Sequence, residues 1–113
     1  MAIYSNLSVD QGSTFGAEID VADSSGDPLD LNGYTVEGQL RKTYTSTTST
    51  AFTSSVFNAG GGVVKISLNA TTTNGLKAGR YVYDVEITKT STGEITRIIE
   101  GQLEVRPGVT RAN

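Results

Sequence analysis

Cysteine, histidine and tryptophan are all missing from this chain of 113 residues, and proline occurs only twice. Without cysteine there is no disulfide, no thiolate metal site and no thiol nucleophile. Without histidine the commonest general base and the commonest metal ligand are gone. Carboxylate pairs remain open to an enzyme, but few enzymes of this size work with so small a set, so the expectation is a protein that is not an enzyme and takes no cofactor. Long hydrophobic runs are missing too: nothing approaches the ~20 apolar residues of a membrane span. The opening MAIYSNLSVD has neither a basic n-region nor an apolar h-region, so no signal peptide is expected and the mature chain is expected to start close to Met1. Nine basic residues are scattered among twelve acidic ones, for a net charge of -3, with no basic cluster beyond Arg41-Lys42. Nucleic-acid binding by counterion release needs a positive stripe. Neither nucleic acid nor membrane is therefore an expected partner.

What is present is period-two alternation, which sends successive side chains to opposite faces of a sheet. From Thr14 to Ala22, Phe15, Ala17, Ile19 and Val21 share one face, with Glu18 and Asp20 on the other. Tyr34, Val36, Gly38 and Leu40 form the buried set of the next clear strand, which runs to Arg41. Lys42 to Thr50 is nearly all Ser and Thr and reads as an exposed loop. Ala51 to Phe57 is a weaker strand with two possible facings, Phe52, Ser54 and Val56 inward or the alternate set. Glycines 60 to 62 mark a loop, and Val64, Ile66 and Leu68 then share a face. Thr71, Thr72 and Thr73 are poor helix formers, so residues 69–79 hold at most a short helical turn. The best strand follows, with Tyr81, Tyr83, Val85 and Ile87 alternating against Val82, Asp84, Glu86 and Thr88. After a Ser91-Thr92-Gly93 turn, Ile95, Arg97, Ile99, Gly101, Leu103 and Val105 fall in one register. Arg97 breaks that register and Ile98 the opposite one, so a bulge is expected between Arg97 and Ile99. With a short strand around Ile3 to Val9, this predicts about seven strands and no crossover helix. The expected fold is an all-β, antiparallel sandwich. One domain fits the length: an N-terminal arm or edge strand over 1–9, the sandwich over 10–106, and a C-terminal tail over 107–113.

Several groups of residues invite a chemical reading. Gly12-Ser-Thr-Phe-Gly16 has a phosphate-loop look, but the following Lys and helix are missing, so it reads as a turn. Asp20, Asp23, Asp27 and Asp30 surround a turn, and Asp23, Asp27 and Asp30 are the weak candidates for calcium, although the EF-hand order of ligands is absent. Asp84, Glu86 and Glu100 are carboxylates of the kind glycoside hydrolysis uses, yet Tyr83 and Val85 claim the opposite face for the core, which puts the acids on the wet side. Three of the tyrosines, Tyr34, Tyr81 and Tyr83, fall in buried registers. Tyr44 lies in the Ser/Thr-rich loop and is the plausible contact residue. Tyr81, Tyr83, Phe15, Ile19, Val36, Leu40 and Val85 are the expected structural residues, and Tyr44, Arg106 and Arg111 the expected interaction residues.

Lys77-Ala-Gly-Arg-Tyr-Val-Tyr-Asp84 resembles the entry to strand F of immunoglobulin-like domains, where a corner tyrosine hydrogen-bonds back across the turn. Tyr81 would match that tyrosine, and Tyr83 the position of the core cysteine. Without the Cys pair and the Trp, the chain departs from the antibody type. A closer likeness is to small immunoglobulin-like domains of tailed phages, at the start of baseplate upper proteins and in short virion proteins. Asp10 to Phe15, Ser25 to Val36, Leu76 to Glu86, Gly93 to Arg97 and Glu100-Gly101 carry it. The resemblance implies a non-enzymatic virion structural protein, assembled in the host cytoplasm: a tail, baseplate or neck component or a capsid decoration protein. It implies other virion proteins and further copies of the chain as partners, with the termini making the assembly contacts. The alternative is a module binding carbohydrate or the host surface through Tyr44.

Overall fold

The structure, a computed structural model, describes residues 3–110. Its strands are β1 (Ile3–Tyr4), β2 (Leu7–Asp10), β3 (Phe15–Asp20), β4 (Tyr34–Arg41), β5 (Thr50–Ala51), β6 (Thr53–Asn58), β7 (Val63–Leu68), β8 (Gly79–Lys89) and β9 (Glu94–Arg106), with one helix, α1 (Ala70–Gly75). They form two sheets. In the larger, β9 lies between β8 and the first two strands, and β4 and β5 continue the sheet beyond β8; the smaller runs β3-β7-β6. The β1 and β2 pairings with β9 are parallel and the others are antiparallel. The small sheet holds the positions of immunoglobulin strands B, E and D, and β4, β8 and β9 hold those of C, F and G. The fold is an immunoglobulin-like sandwich: the alternation predicted the all-β sandwich, and the resemblance implied the immunoglobulin-like type. Among the described residues no helix is long and apolar enough to cross a membrane.

The apolar sets read from the sequence meet between the sheets. Ile19, Val21, Leu40, Val64, Ile66, Leu68, Val85, Ile87, Leu103 and Val105 are all buried there. An aromatic line joins the layers: the Phe15 and Phe52 ring centroids are 6.2 Å apart. Phe52 meets Tyr83 edge-on, also at 6.2 Å. Gly38 leaves the room Phe52 needs, since a Cβ there would sit 3.0 Å from both the Phe52 ring and the Val85 side chain.

Three expectations are corrected. Among the described residues the strands number nine rather than about seven, because two segments each break into a pair. Ile3 to Asp10 breaks between Tyr4 and Leu7 while following β9. Ala51 to Phe57 changes sheets at Phe52: its N–H still donates to Gly38 O on β4 (2.9 Å), and from Thr53 onward the chain pairs with β7. That switch puts Phe52 in the core and Ser54 and Val56 on its side, which resolves the facing. The third correction concerns Ile95. The bulge lies where the sequence placed it, with Val85 opposite Ile99 and Glu86 opposite Arg97, so that Ile98 is the extra residue. Thr96 and Ile98 therefore face inward ahead of it, Arg97 faces outward, and Ile95 is 60% exposed.

The threonine-rich segment does form one short helix, because its surroundings outweigh its propensity. The Asn69 side chain caps it by accepting from Thr72 N (2.8 Å). Thr73 is fully buried, its hydroxyl accepting from Gly12 N at 3.1 Å and lying 2.8 Å from Ser13 O. That contact docks the Gly12–Ser13 turn, and Phe15 and Gly16 already belong to β3, so the stretch is no loop for phosphate.

Candidate interaction surfaces

The strands determine which side chains reach the outer face of the large sheet. With Tyr83, Val85 and Leu40 turned inward, Gln39 and Arg41 of β4, Asp84 and Glu86 of β8, and Arg97 and Glu100 of β9 point to solvent. The bulge at Ile98 lets Arg97 and Glu100 share that face. Arg97 Nε donates to Asp84 Oδ2 at 3.2 Å and Nη1 to Glu100 Oε1 at 3.3 Å. The three acids flagged in the sequence thus lie on the wet side, and two of them are tied to one guanidinium. Tyr44, 76% exposed, stands at the rim of a cleft of about 280 Å³ lined by Gln39, Arg41, Asp84, Glu86 and Arg97.

Tyr81 closes the corner its sequence suggested: its hydroxyl donates to Lys77 O at 2.8 Å. Tyr83 is buried, and its hydroxyl donates to Ser5 O at 2.6 Å. Burial pushes this phenol up to about 12. Phe15 and Val36 are half-buried at the edge of the core, with Ile19, Leu40 and Val85 inside it.

The calcium candidates are not brought together. Asp23 Oδ1 accepts from Ser25 N and Asp27 N (2.9 and 3.1 Å), which builds a local turn. Asp30 Oδ1 accepts from the backbone and side-chain nitrogens of Asn32, and these bonds, the backbone one foremost, hold its carboxyl below the ordinary value. Among the described residues no three acidic side chains converge as a metal site. Short-range hydrogen bonding engages one carboxylate oxygen each of Asp23 and Asp30. Arg106 pairs with Asp10 across β2 and β9, Nε to Oδ1 3.1 Å, so its charge is met within the chain. Arg111 lies outside the described residues.

A feature the sequence reading missed is the separation of charge along the sandwich. Between Gly38 and Tyr83 the chain has five basic residues, Arg41, Lys42, Lys65, Lys77 and Arg80, and no acidic residue. β4 ends, and β8 begins, at the same end of the sandwich, so Arg41, Lys42, Lys77 and Arg80 gather there. Asp20, Asp23, Asp27 and Asp30 gather at the opposite end, where β3 finishes and β4 starts. Counting charges by segment, rather than looking for adjacent ones, would have found this. The basic end has a cleft of about 480 Å³ between the Thr48–Thr50 stretch and Gly75–Ala78.

No protein-family model matches the sequence, and no curated protein matches it. Among solved structures the chain is similar to the NK cell receptor NKp44, described as a triggering partner in natural cytotoxicity: 13% identity, TM-score 0.49, covering 94% of this chain and 99% of that one. It is also similar to part of a family 123 glycoside hydrolase from Clostridium perfringens, at 14% identity and TM-score 0.41, covering 94% of this chain and 23% of that one.

Proposed function

We propose that this chain is a non-enzymatic structural protein of a bacteriophage virion, a docking module repeated in a symmetric tail, neck, baseplate or head assembly. One observation carries the reading. Of the three principal segments that resemble phage domains, residues 10–15 and 25–36 lie where the chain passes from one sheet to the other. Residues 76–86, with 93–97 and 100–101, enter and form the closing β8–β9 hairpin. The likeness therefore lies in two sheet-to-sheet connections and the closing hairpin of the sandwich rather than in interchangeable surface. A fold of this kind contributes a rigid surface, and repetition turns a small contact into a stable one. Quantitative mass spectrometry of particles purified from the source tests the proposal. A copy number near that of the major capsid protein assigns the chain to the head, and a handful of copies to the tail, neck or baseplate. Absence from the particles overturns the proposal.

The cleft beside Tyr44 favours a second reading, a module that binds glycans. An exposed ring beside Gln39, Arg41, Asp84 and Arg97 combines a stacking surface with fixed hydrogen-bonding groups. A glycan array without hits removes that reading.

A further inference from the structure

The charge that the fold separates has a shape on each side. At the acidic end the Ala22–Pro28 hairpin projects, closed by an Ala22–Pro28 bridge and by Asp23 N donating to Asp27 O at 2.8 Å. Its tip is held by the Asp23 side chain, while the carboxylates of Asp20 and Asp27 make no hydrogen bond or ion pair among the described residues. At the basic end the surface is concave. Arg41, Lys42 and Lys77 line the cleft together with the hydroxyls of Thr48, Ser49 and Thr50, and no acidic residue lines it. Its shape is prepared in advance. The Tyr81 hydroxyl holds Lys77 O, Lys42 Nζ lies 4.9 Å from the Tyr81 ring centroid, and Arg41 Nη1 donates to Ser46 O at 2.6 Å. Neither Lys42 nor Lys77 has a carboxylate partner among the described residues. The other charges near this end largely answer each other: Asp10 pairs with Arg106, and Glu104 stands opposite Arg80. At the acidic end Glu94 stands opposite Lys89.

We propose that copies of this chain associate end to end, the acidic hairpin of one seating in the basic cleft of the next. The two surfaces are different and lie at opposite ends of β4, roughly 23 Å apart at ~3.3 Å per residue. The contact is therefore heterologous, and it propagates: a fixed rotation at each step closes a ring or extends a filament. The occupant of the cleft is a second copy because the same chain carries both carboxylates and ammonium groups that lack an ion-pair partner among the described residues. The carboxylates sit on and beside an exposed hairpin, and the ammonium groups line a cleft. The inference rests on the reading of a repeated structural module and supplies the contact that such repetition needs. Between exposed charges the attraction is screened by salt, with a Debye length of about 30 Å at 0.01 M and about 3 Å at 1 M.

Sedimentation velocity on the full chain tests it, with circular dichroism to verify that every variant is folded. The wild type is expected to self-associate at about 0.01 M salt and to dissociate at about 1 M. Lys42→Glu/Lys77→Glu removes the positive charge of the cleft, and Asp20→Lys/Asp27→Lys cancels the negative charge of the hairpin end, where Asp23 and Asp30 remain. Each variant alone is expected to stay monomeric at low salt, and an equimolar mixture to associate. A wild type that remains monomeric at low salt overturns the proposal, as does a reversed variant that associates like the wild type. If the monomer instead binds a polyglutamate peptide, and Lys42→Glu/Lys77→Glu abolishes that binding, the cleft serves a different acidic partner and the end-to-end contact is overturned. Particles that contain the chain and assemble normally with either variant overturn the contact and leave the virion proposal standing. Particles that lack the chain overturn the virion proposal, and sedimentation alone then decides the contact.

Discussion

Tyr83 reaches past Gly101 to the link between β1 and β2, where its phenol donates a 2.6 Å hydrogen bond to the carbonyl of Ser5, 78 residues earlier in the chain. Gly101 stands directly opposite Tyr83 on β9, and a Cβ there would collide with the Ser5 carbonyl oxygen. One hydroxyl and one missing side chain thus hold the N-terminal segment against β9.

Gly101→Ala is expected to push Ser5 away and cost about 2–3 kcal/mol, the range of an overpacked site. Tyr83→Phe loses the hydrogen bond at about 1 kcal/mol. Because both act on the same seat, the double variant should fall short of the sum. Denaturant midpoints check the energies, and loss of amide protection confined to residues 3–10 checks the location.

The Tyr83 phenol also links stability to pH. Its folded value, about 12, lies above its ordinary value of 10.0, so the folded chain holds this proton more tightly than the unfolded one. The stabilisation is complete below pH 10 and is lost as pH rises through 12. With partial solvent access discounted, it amounts to roughly 1–2 kcal/mol. The difference between the tyrosinate absorbance titrations of the wild type and Tyr83→Phe should isolate one phenol titrating near 12. A difference curve centred on 10.0 would contradict this.

Thr73→Val keeps the side-chain volume and leaves Gly12 N and Ser13 O without their buried partner. The expected cost is about 2–3 kcal/mol, larger than that of an ordinary hydrogen bond because two backbone groups lose satisfaction. Urea denaturation measures it. Exchange at the Gly12 amide reports whether the turn has undocked.

Arg97→Gln removes the cation that stands between Asp84 and Glu100, which are directly opposite each other on β8 and β9. The groups are half-exposed, so the loss should stay near 0.5 kcal/mol at low salt and vanish at high salt. Thermal midpoints at the two ionic strengths test this; an equal loss in both would point to packing instead.

Tyr44→Ala should leave stability within about 0.5 kcal/mol of wild type, since the ring is 76% exposed. Any loss of glycan or host binding in this variant therefore reads directly on the cleft. Unchanged adsorption would remove Tyr44 from the contact surface.

The core was largely legible because period-two alternation is a local property. Phe15, Ile19, Val36, Leu40, Tyr81, Tyr83 and Val85 could be assigned their faces from neighbours two residues away. The bulge was legible for the same reason: Ile98 and Ile99 are adjacent and apolar, and only an extra residue turns both inward. Ile95 was misassigned because a register read from one side of a bulge does not continue through it. The change of sheet at Phe52 left no local sign, since it depends on Gly38 across the sheet. Thr73 reads as a poor helix former, and only the Gly12 turn folding back over it makes a helix there worthwhile.

The sequence by itself determined most of the strands and the faces they bury, and that the fold is an all-β sandwich; the corner tyrosine at the entry to β8 came from the resemblance to immunoglobulin-like domains. Alternation, turn chemistry and residue type act over a few positions and need no distant partner. Tertiary structure alone decided the rest: that Arg97 serves two carboxylates, and that Lys42 and Lys77 face a common cleft with the acidic hairpin at the far end. Each of these joins residues well separated along the chain or depends on where a strand ends, and only the packing of the two sheets sets those distances.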